Sequence, residues 1–300
     1  MADAAGQPRE RAARRRRAGP SRRLALALLA LFGLFRVEPA GATWSIAAVD
    51  PATREVGVAG ASCILGSEVI AIVLPDRAAA VAQAITNPEA LVKLRASLGD
   101  RKPAAEAIDE VTSRWFDSFF GAPILNLRQY GAVSLEAPDA PAHFTGGWVA
   151  SWSGAESAPG VSVQGNSLVG PAVVTRALEA FRADGDGCAP RLADRLIAAV
   201  LAGAEAGGDR RCEAELSALS AFLFVAAPDD PAEAPGLALV RNRPGQPAWS
   251  LWQEIRNAFR PVPGRRDENP ALLLRDAYRD RAAAAGGEPA CIPAPGSAID

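Results

Sequence analysis

Thr43 stands directly after Ala40-Gly41-Ala42, a run of small residues that suits a signal-peptidase site. A cut there makes threonine the first residue of the mature chain. Such a residue brings a hydroxyl nucleophile and, on the same carbon, an α-amine whose unperturbed pKa of about 7.7 to 8.0 is close to working pH. The amine can take the hydroxyl proton directly or through one water, so no histidine is needed. The chemistry is attack on an amide or ester carbonyl, giving an acyl-enzyme that water then cleaves. The chain contains a single histidine, His143. A Ser-His-Asp triad or a zinc site would have to be built around it, and Pro141-Ala142-His143-Phe144-Thr145 reads as the edge of a strand, so His143 is assigned a structural role.

Attack alone is insufficient, because the developing oxyanion needs hydrogen-bond donors. Val163-Gln164-Gly165-Asn166 offers them where a strand ends shortly before Gly170-Pro171: the Asn166 side-chain N–H and the Gly165 backbone N–H. The plainer account of the same residues is a turn and helix cap. Gly207-Gly208-Asp209-Arg210-Arg211-Cys212 is a second candidate, in which Asp209 and Arg210 would orient the α-amine or a substrate carboxylate; its plainer account is a helix C-cap with a solvated charge pair. Gln83 to Asn87 could line a substrate pocket, although Asn87 before Pro88 also has the makings of a cap. Cys63 reads as buried or disulfide-bonded, not as a thiol nucleophile.

The elements that must position these groups begin after a targeting segment. Arg14 to Arg17 with Arg22 and Arg23 form a positive region, and Leu24 to Phe35 a short apolar one, closed by Arg36, Glu38 and Pro39. The apolar run falls short of the roughly 20 residues of a membrane span. Residues 1–42 are therefore read as a signal peptide whose removal leaves an exported, periplasmic or extracellular protein without a membrane anchor. Ser21 to Leu26 partly matches a twin-arginine signal, and the export route stays open. Removing residues 1–42 takes away nine arginines and three acids, leaving 23 basic against 31 acidic side chains and a net charge of -8. That balance excludes nucleic acid as a natural partner. Cys63, Cys188, Cys212 and Cys291 show no C-x-x-C spacing, which argues against a zinc knuckle and for disulfides in an oxidising compartment.

Along the mature chain, Thr43 to Val49 has the β-branched and aromatic bias of a strand, Asp50 to Arg54 turns, and Glu55 to Ser62 returns as the second arm of an antiparallel hairpin. Val69 to Leu74 and Ala78 to Ala84 continue the strands. Asn87-Pro88-Glu89 opens one helix and Lys102-Pro103 another. Strands recur at Leu125 to Leu135, around Phe144 and at Gly160 to Asn166; helices follow at Pro171 to Phe181 and Pro190 to Ala206, then strands at Ser217 to Ala226 and Leu237 to Val240. Strands, helices, strands, helices, strands is an α+β layered order, not the alternation of a doubly wound sheet. Further helices are expected at Ser250 to Phe259 and Asn269 to Arg281. The domain reading is 43–245 for the main unit, 246–285 for a C-terminal helical extension and 286–300 for a disordered tail.

Together, Thr43 to Pro51, Gly57 to Cys63, Val163 to Asn166 and Gly207 to Cys212 resemble the domain of unknown function family numbered 1028, over Thr43 to about Ala227. That family looks like a member of the N-terminal nucleophile hydrolase superfamily, so the resemblance implies a four-layer αββα sandwich. Relatives in the cytoplasm expose the corresponding threonine by losing methionine, which the signal cut would replicate here. Exported relatives carry cysteines matching Cys63 and Cys212, which implies a Cys63–Cys212 bridge and leaves Cys188 with Cys291. The chain departs from the pattern after Gln83, where many members have a longer loop, and it lacks a basic residue near the nucleophile: Lys93 and Lys102, its only lysines, fall in predicted helices. A peptidoglycan-binding module of some relatives is only faintly echoed at Asp267 to Tyr278.

The expectation is thus an exported N-terminal threonine hydrolase acting on an amide-type C–N bond, with Thr43 as nucleophile, Gly165 and Asn166 at the oxyanion, Asp209 and Arg210 for orientation, and Gln83 and Asn87 toward substrate. A small amide or peptide-like compound is the expected substrate, with no metal or organic cofactor implied and homo-oligomerisation left open. The rival expectation is a non-catalytic cell-envelope binding protein on the same scaffold, with peptidoglycan as a candidate ligand.

Overall fold

The computed structural model describes residues 43–113, 116–119, 122–149, 151–185, 187–231, 234–245, 260–286 and 290–293. All of them belong to one compact unit. The signal-peptide reading of residues 1–42 and the helix expected at Ser250 to Phe259 lie outside the described residues.

The sequence Thr43-Trp44-Ser45-Ile46-Ala47-Ala48-Val49 is strand β1 (Thr43–Val49), and its alternation sorts two different faces. Trp44, Ile46 and Ala48 enter a core with helices, whereas Ala47 and Val49 enter a second core between two sheets. After a turn the chain returns as β2 (Val56–Ser62), antiparallel to β1 in a register that sets Thr43 opposite Ser62. A short 3-10 turn, Ser67–Ile70, takes residues expected to be strand, and β3 (Ala71–Leu74) and β4 (Ala78–Ala84) follow. β4 reads Ala-Ala-Ala-Val-Ala-Gln-Ala because both of its faces are covered, and small side chains let two layers approach it.

Helix α1 (Pro88–Gly99) starts at Asn87, whose side-chain oxygen accepts from Glu89 N at 2.9 Å and Ala90 N at 3.4 Å, with Pro88 in the first turn. Helix α2 (Ala104–Thr112) comes next, then a two-residue hairpin of β5 (Ser118–Phe119) and β6 (Ala122–Pro123). β7 (Arg128–Ser134), β8 (Ala142–Thr145), β9 (Trp152–Ala158) and β10 (Val161–Leu168) form the middle of the chain. Helices α3 (Ala172–Arg182) and α4 (Leu192–Glu205), strands β11 (Ser220–Ala226) and β12 (Leu237–Asn242), and helix α5 (Pro270–Ala284) complete it.

Two antiparallel sheets result, one ordered β12-β11-β2-β1-β10-β9 and one ordered β3-β4-β7-β8. Trp44, Ile46 and Leu223 of the first sheet pack on Val173, Phe181, Leu196 and Ile197 of α3 and α4. Ile72, Ala80 and Ala132 of the second pack on Leu94, Leu98, Ile108 and Val111 of α1 and α2. Val58, Phe222, Val81 and Val133 meet between the sheets. The chain is therefore an α+β sandwich with helices outside two facing sheets.

Ala271, Leu274 and Tyr278 of α5 are buried in the same core as Trp44 and Leu196, and the Tyr278 hydroxyl donates to the fully buried Asp194 of α4 at 2.9 Å. The helix placed in a C-terminal extension thus shares the main core. Both expected bridges are present, Cys63–Cys212 and Cys188–Cys291. The second holds Cys291, which lies within the stretch expected to be a disordered tail. Strand β9 has no counterpart in the sequence reading: Trp-Ser-Gly-Ala-Glu-Ser-Ala is small and polar, as an edge strand with half-buried side chains can be.

Candidate functional site

Thr43 opens a strand in the interior of the larger sheet, with Ser62 of β2 on one side and Asn166 of β10 on the other. Directly opposite residues in an antiparallel pair share a face, with Cβ atoms about 4.5 to 5.5 Å apart. Thr43, Ser62 and Asn166 therefore point together into the space between the sheets, and all three are buried. The Thr43 hydroxyl donates to Ser62 Oγ at 3.1 Å.

The inter-sheet layer changes character along its length. Around Val49 it is apolar, with Val56, Val58, Val73, Ala79 and Val133. At the Thr43 end it is lined by amides and hydroxyls. Gln129, fully buried on β7, is the hub: its Oε1 accepts from Gln83 Nε2 at 2.7 Å and Asn166 Nδ2 at 3.1 Å, and its Nε2 donates to Gly165 O at 2.8 Å and Thr145 Oγ1 at 2.9 Å. Ser45 Oγ donates to Gln83 Oε1 at 2.6 Å, and Gln164 Nε2 reaches both the carbonyl and the hydroxyl of Ser45 at 2.9 and 2.8 Å. Gln83 Nε2 also approaches Thr43 O at 3.5 Å. Satisfied networks of this kind rigidify the groups they hold.

Two glycines make room for this arrangement. A Cβ on Gly131 of β7 would lie 1.9 Å from Gln164 Oε1, so only glycine lets that amide cross between the sheets. A Cβ on Gly203 of α4 would lie 2.4 Å from Trp44 Nε1, so the helix can press on the residue next to Thr43 only because it is bare there. Trp44 Nε1 donates to Val200 O at 3.3 Å, which pins the start of β1 from the other face.

Of the residues singled out in the sequence, Thr43, Gln83, Gly165 and Asn166 come together in one hydrogen-bonded cluster. Gly165 sits in the ladder with Trp44 on one side and Gly154 on the other, and its carbonyl is taken by Gln129. Asn166 lies at the edge of an irregularity that shifts the β10 register between Gly165 and Leu168. Such bulges re-aim a side chain. Asn87 is occupied as the cap of α1.

Asp209, fully buried, accepts from Cys63 N at 2.6 Å, from Arg211 N at 2.9 Å and from the Arg211 guanidinium at 2.8 Å. It thus holds the end of β2, and the bonds joining it to Thr43 run through Cys63 and Ser62. Arg210 is exposed; its backbone N donates to Ser167 O at 3.2 Å and its guanidinium to Ser151 Oγ at 2.6 Å. The His143 side chain makes no hydrogen bond among the described residues; it sits exposed on strand β8, and the partial desolvation it does undergo pulls its pKa down.

Three buried residues other than glycine have positive φ: Ala84 beside Gln83, Ser167 beside Asn166, and Ser217, whose carbonyl accepts from Asp209 N. Each costs about 1 to 2 kcal/mol in an L-residue. Strain of this kind concentrates at functional sites, and here two of the three, Ala84 and Ser167, directly follow Gln83 and Asn166 of the cluster around Thr43. Sequence reasoning missed Gln129 and Ser45; a glutamine in an apolar strand, Arg-Gln-Tyr-Gly-Ala-Val-Ser, was the available signal. No group of His, Cys, Asp and Glu among the described residues could hold a metal ion.

A model of a family of unknown function, DUF1028, matches residues 43–247, and the chain belongs to that family. Among solved structures it is similar to protein SPO2555 from Silicibacter pomeroyi, itself described as DUF1028, with 24% identity and a TM-score of 0.59 over 80% of this chain and 86% of that one. The likeness concerns the fold. No curated protein matches the chain. Two disulfides fit an oxidising location, and among the described residues no helix is long and apolar enough to cross a membrane.

Proposed function

We propose that the chain is exported, that cleavage after Ala42 frees Thr43, and that the mature protein is an N-terminal threonine hydrolase of amide-type C–N bonds. The observation that carries this reading is the place of Thr43: the first residue of an interior strand, facing a buried amide cluster instead of the apolar core three pairs further on. The family match also begins at this residue.

In the proposed reaction Thr43 Oγ1 bonds to the substrate carbonyl carbon while its proton passes to the α-amine. The oxyanion takes the Asn166 amide, of which one N–H is fixed by Gln129 and the other remains for the substrate. Asn166 is a better donor than Gly165, whose backbone competes with ladder pairing on both sides. Collapse breaks the C–N bond, the leaving nitrogen takes the proton, and water then hydrolyses the threonyl ester. Ser62 holds the Thr43 hydroxyl toward the gap before attack.

The test is the sequence and reactivity of the secreted protein. Its N-terminus is expected to be Thr43, and a β-lactone probe is expected to acylate that residue and to leave Thr43→Ala unlabelled. A mature N-terminus elsewhere refutes the proposal. Labelling that survives Thr43→Ala refutes it too, and turns attention to a binding role for the scaffold.

A further inference from the structure

Resting on the hydrolase reading, we infer that Arg210 is a specificity-determining residue and that the substrate's acyl portion ends in a carboxylate about 10 Å from the scissile carbonyl.

The loop after α4 carries two consecutive arginines with different fates. Arg211 is turned inward onto Asp209. Arg210 is exposed, and among the described residues no carboxylate is its partner; its guanidinium is held by Ser151 Oγ alone. Both of its anchors are serines in the left-handed region, Ser151 at φ 59 and Ser167 at φ 49. A strained backbone is retained where something else depends on it. Here two such serines steady a cation that has no carboxylate partner among the described residues.

The position is set by the sheet. Ser151 immediately precedes Trp152, which pairs with Leu168, so the guanidinium lies at the β9 edge of the sheet end that Thr43 opens. From β1 across β10 to β9 is two inter-strand spacings, about 10 Å, and Ser151 lies about two residues, or roughly 7 Å, beyond the level of Thr43 along the strands, so the separation is on the order of 12 Å; a carboxylate about 10 Å from the carbonyl, plus its own contact with the guanidinium, spans it. Trp148, three residues before Ser151, is 58% exposed, and Val169, two residues after Ser167, is 51% exposed; Val169 N bonds Gly208 O in the Arg210 loop. They are two of the four large hydrophobic side chains left exposed among the described residues. A cation with the exposed Val169 against its own loop, and the exposed Trp148 a few residues along the chain from its Ser151 anchor, fits an acyl chain that is apolar along its length and anionic at its end. Without residues 1–42 the chain has a net charge of -8 and repels anions on average, so a preference for an anionic substrate has to come from a local cation.

The test uses two esters on the mature protein: the p-nitrophenyl ester of glutaryl-alanine, whose free carboxylate lies about 9 to 10 Å from the reactive carbonyl, and the same compound with that carboxylate masked as a methyl ester. Thr43 Oγ1 bonds to the carbonyl carbon, p-nitrophenolate leaves with the C–O bond electrons, and the hydroxyl proton goes to the α-amine. Release of p-nitrophenolate gives the rate, and peptide mass spectrometry confirms Thr43 as the site. A preference of roughly tenfold for the free acid is expected from one charge-assisted contact. It should collapse toward one in Arg210→Met, survive in part in Arg210→Lys, and shrink with added salt. Equal rates for the two esters, or a preference unchanged in Arg210→Met, overturn the inference and leave the hydrolase reading standing. Acylation of Thr43 by neither ester, with the N-terminus free, overturns the hydrolase reading and the inference with it.

Discussion

Gln129→Leu is the sharpest test of the buried amide cluster, because one side chain joins Asn166, the neighbour of Thr43 on β10, to Gln83 of the facing sheet. Its loss leaves Gln83 Nε2, Asn166 Nδ2 and Gly165 O without this partner. Leaving a buried polar group unsatisfied costs about 1 to 3 kcal/mol. Taking the low end for three groups, and allowing the leucine a little apolar burial, gives a destabilisation of about 3 kcal/mol. For a domain of this size that corresponds to about 6 to 12 °C in Tm. Urea denaturation followed by tryptophan fluorescence reads the change as a shifted midpoint at constant slope. Gln129→Glu separates geometry from burial: its carboxyl still accepts but faces Gly165 O without a donor, and desolvation raises its folded pKa. That variant is expected to be most stable at low pH and to lose stability as pH rises past about 4.3 and through the raised value. A midpoint for Gln129→Leu within about 1 kcal/mol of the parent would show that the amides find other partners and that Gln129 does not organise the site.

Ala84→Gly removes the positive-φ penalty beside Gln83 and is expected to leave stability unchanged or raise it by up to about 1 kcal/mol, measured by thermal melting; a loss would show that the strain reading is wrong. Lys102, then Ser97, hold the Glu110 carboxyl down to about 2, so its contribution is complete above about 4.5 and is lost as pH falls toward 2; Glu110→Gln should flatten that stretch of the acid-unfolding curve. Replacing Cys63 and Cys212 by alanine opens a link across 149 residues and is expected to cost about 2 to 5 kcal/mol, read by denaturant midpoints against the parent under oxidising conditions. Acylation of mature Thr43 should rise with pH as the α-amine loses its proton, with a midpoint at or below about 7.7 because Thr43 is buried and burial disfavours the charged amine; a rate independent of pH from 5 to 9 would remove the amine as base.

Local chemistry made much of this molecule legible in advance. The hairpin of β1 and β2, the proline-led cap of α1 at Asn87 and the order of strands and helices depend on contacts a few residues apart, which periodicity and turn residues report directly. The interest of Thr43 is likewise readable from what precedes it in the chain. The site's membership is another matter. Gln129 meets Asn166 across 37 positions and Gln83 across 46, and no spacing rule links such residues before two sheets face each other. Asp209 reads as a charge on a loop, yet the fold buries it fully to hold Cys63 across 146 positions. Strand β9 escaped because an edge strand with half-buried faces needs no apolar alternation. Sequence alone determined most of the strands and helices and singled out Thr43 as the residue proposed for attack; only the tertiary structure decided which amides surround it, because a buried polar group takes whatever partner the packing of distant layers brings within hydrogen-bond reach.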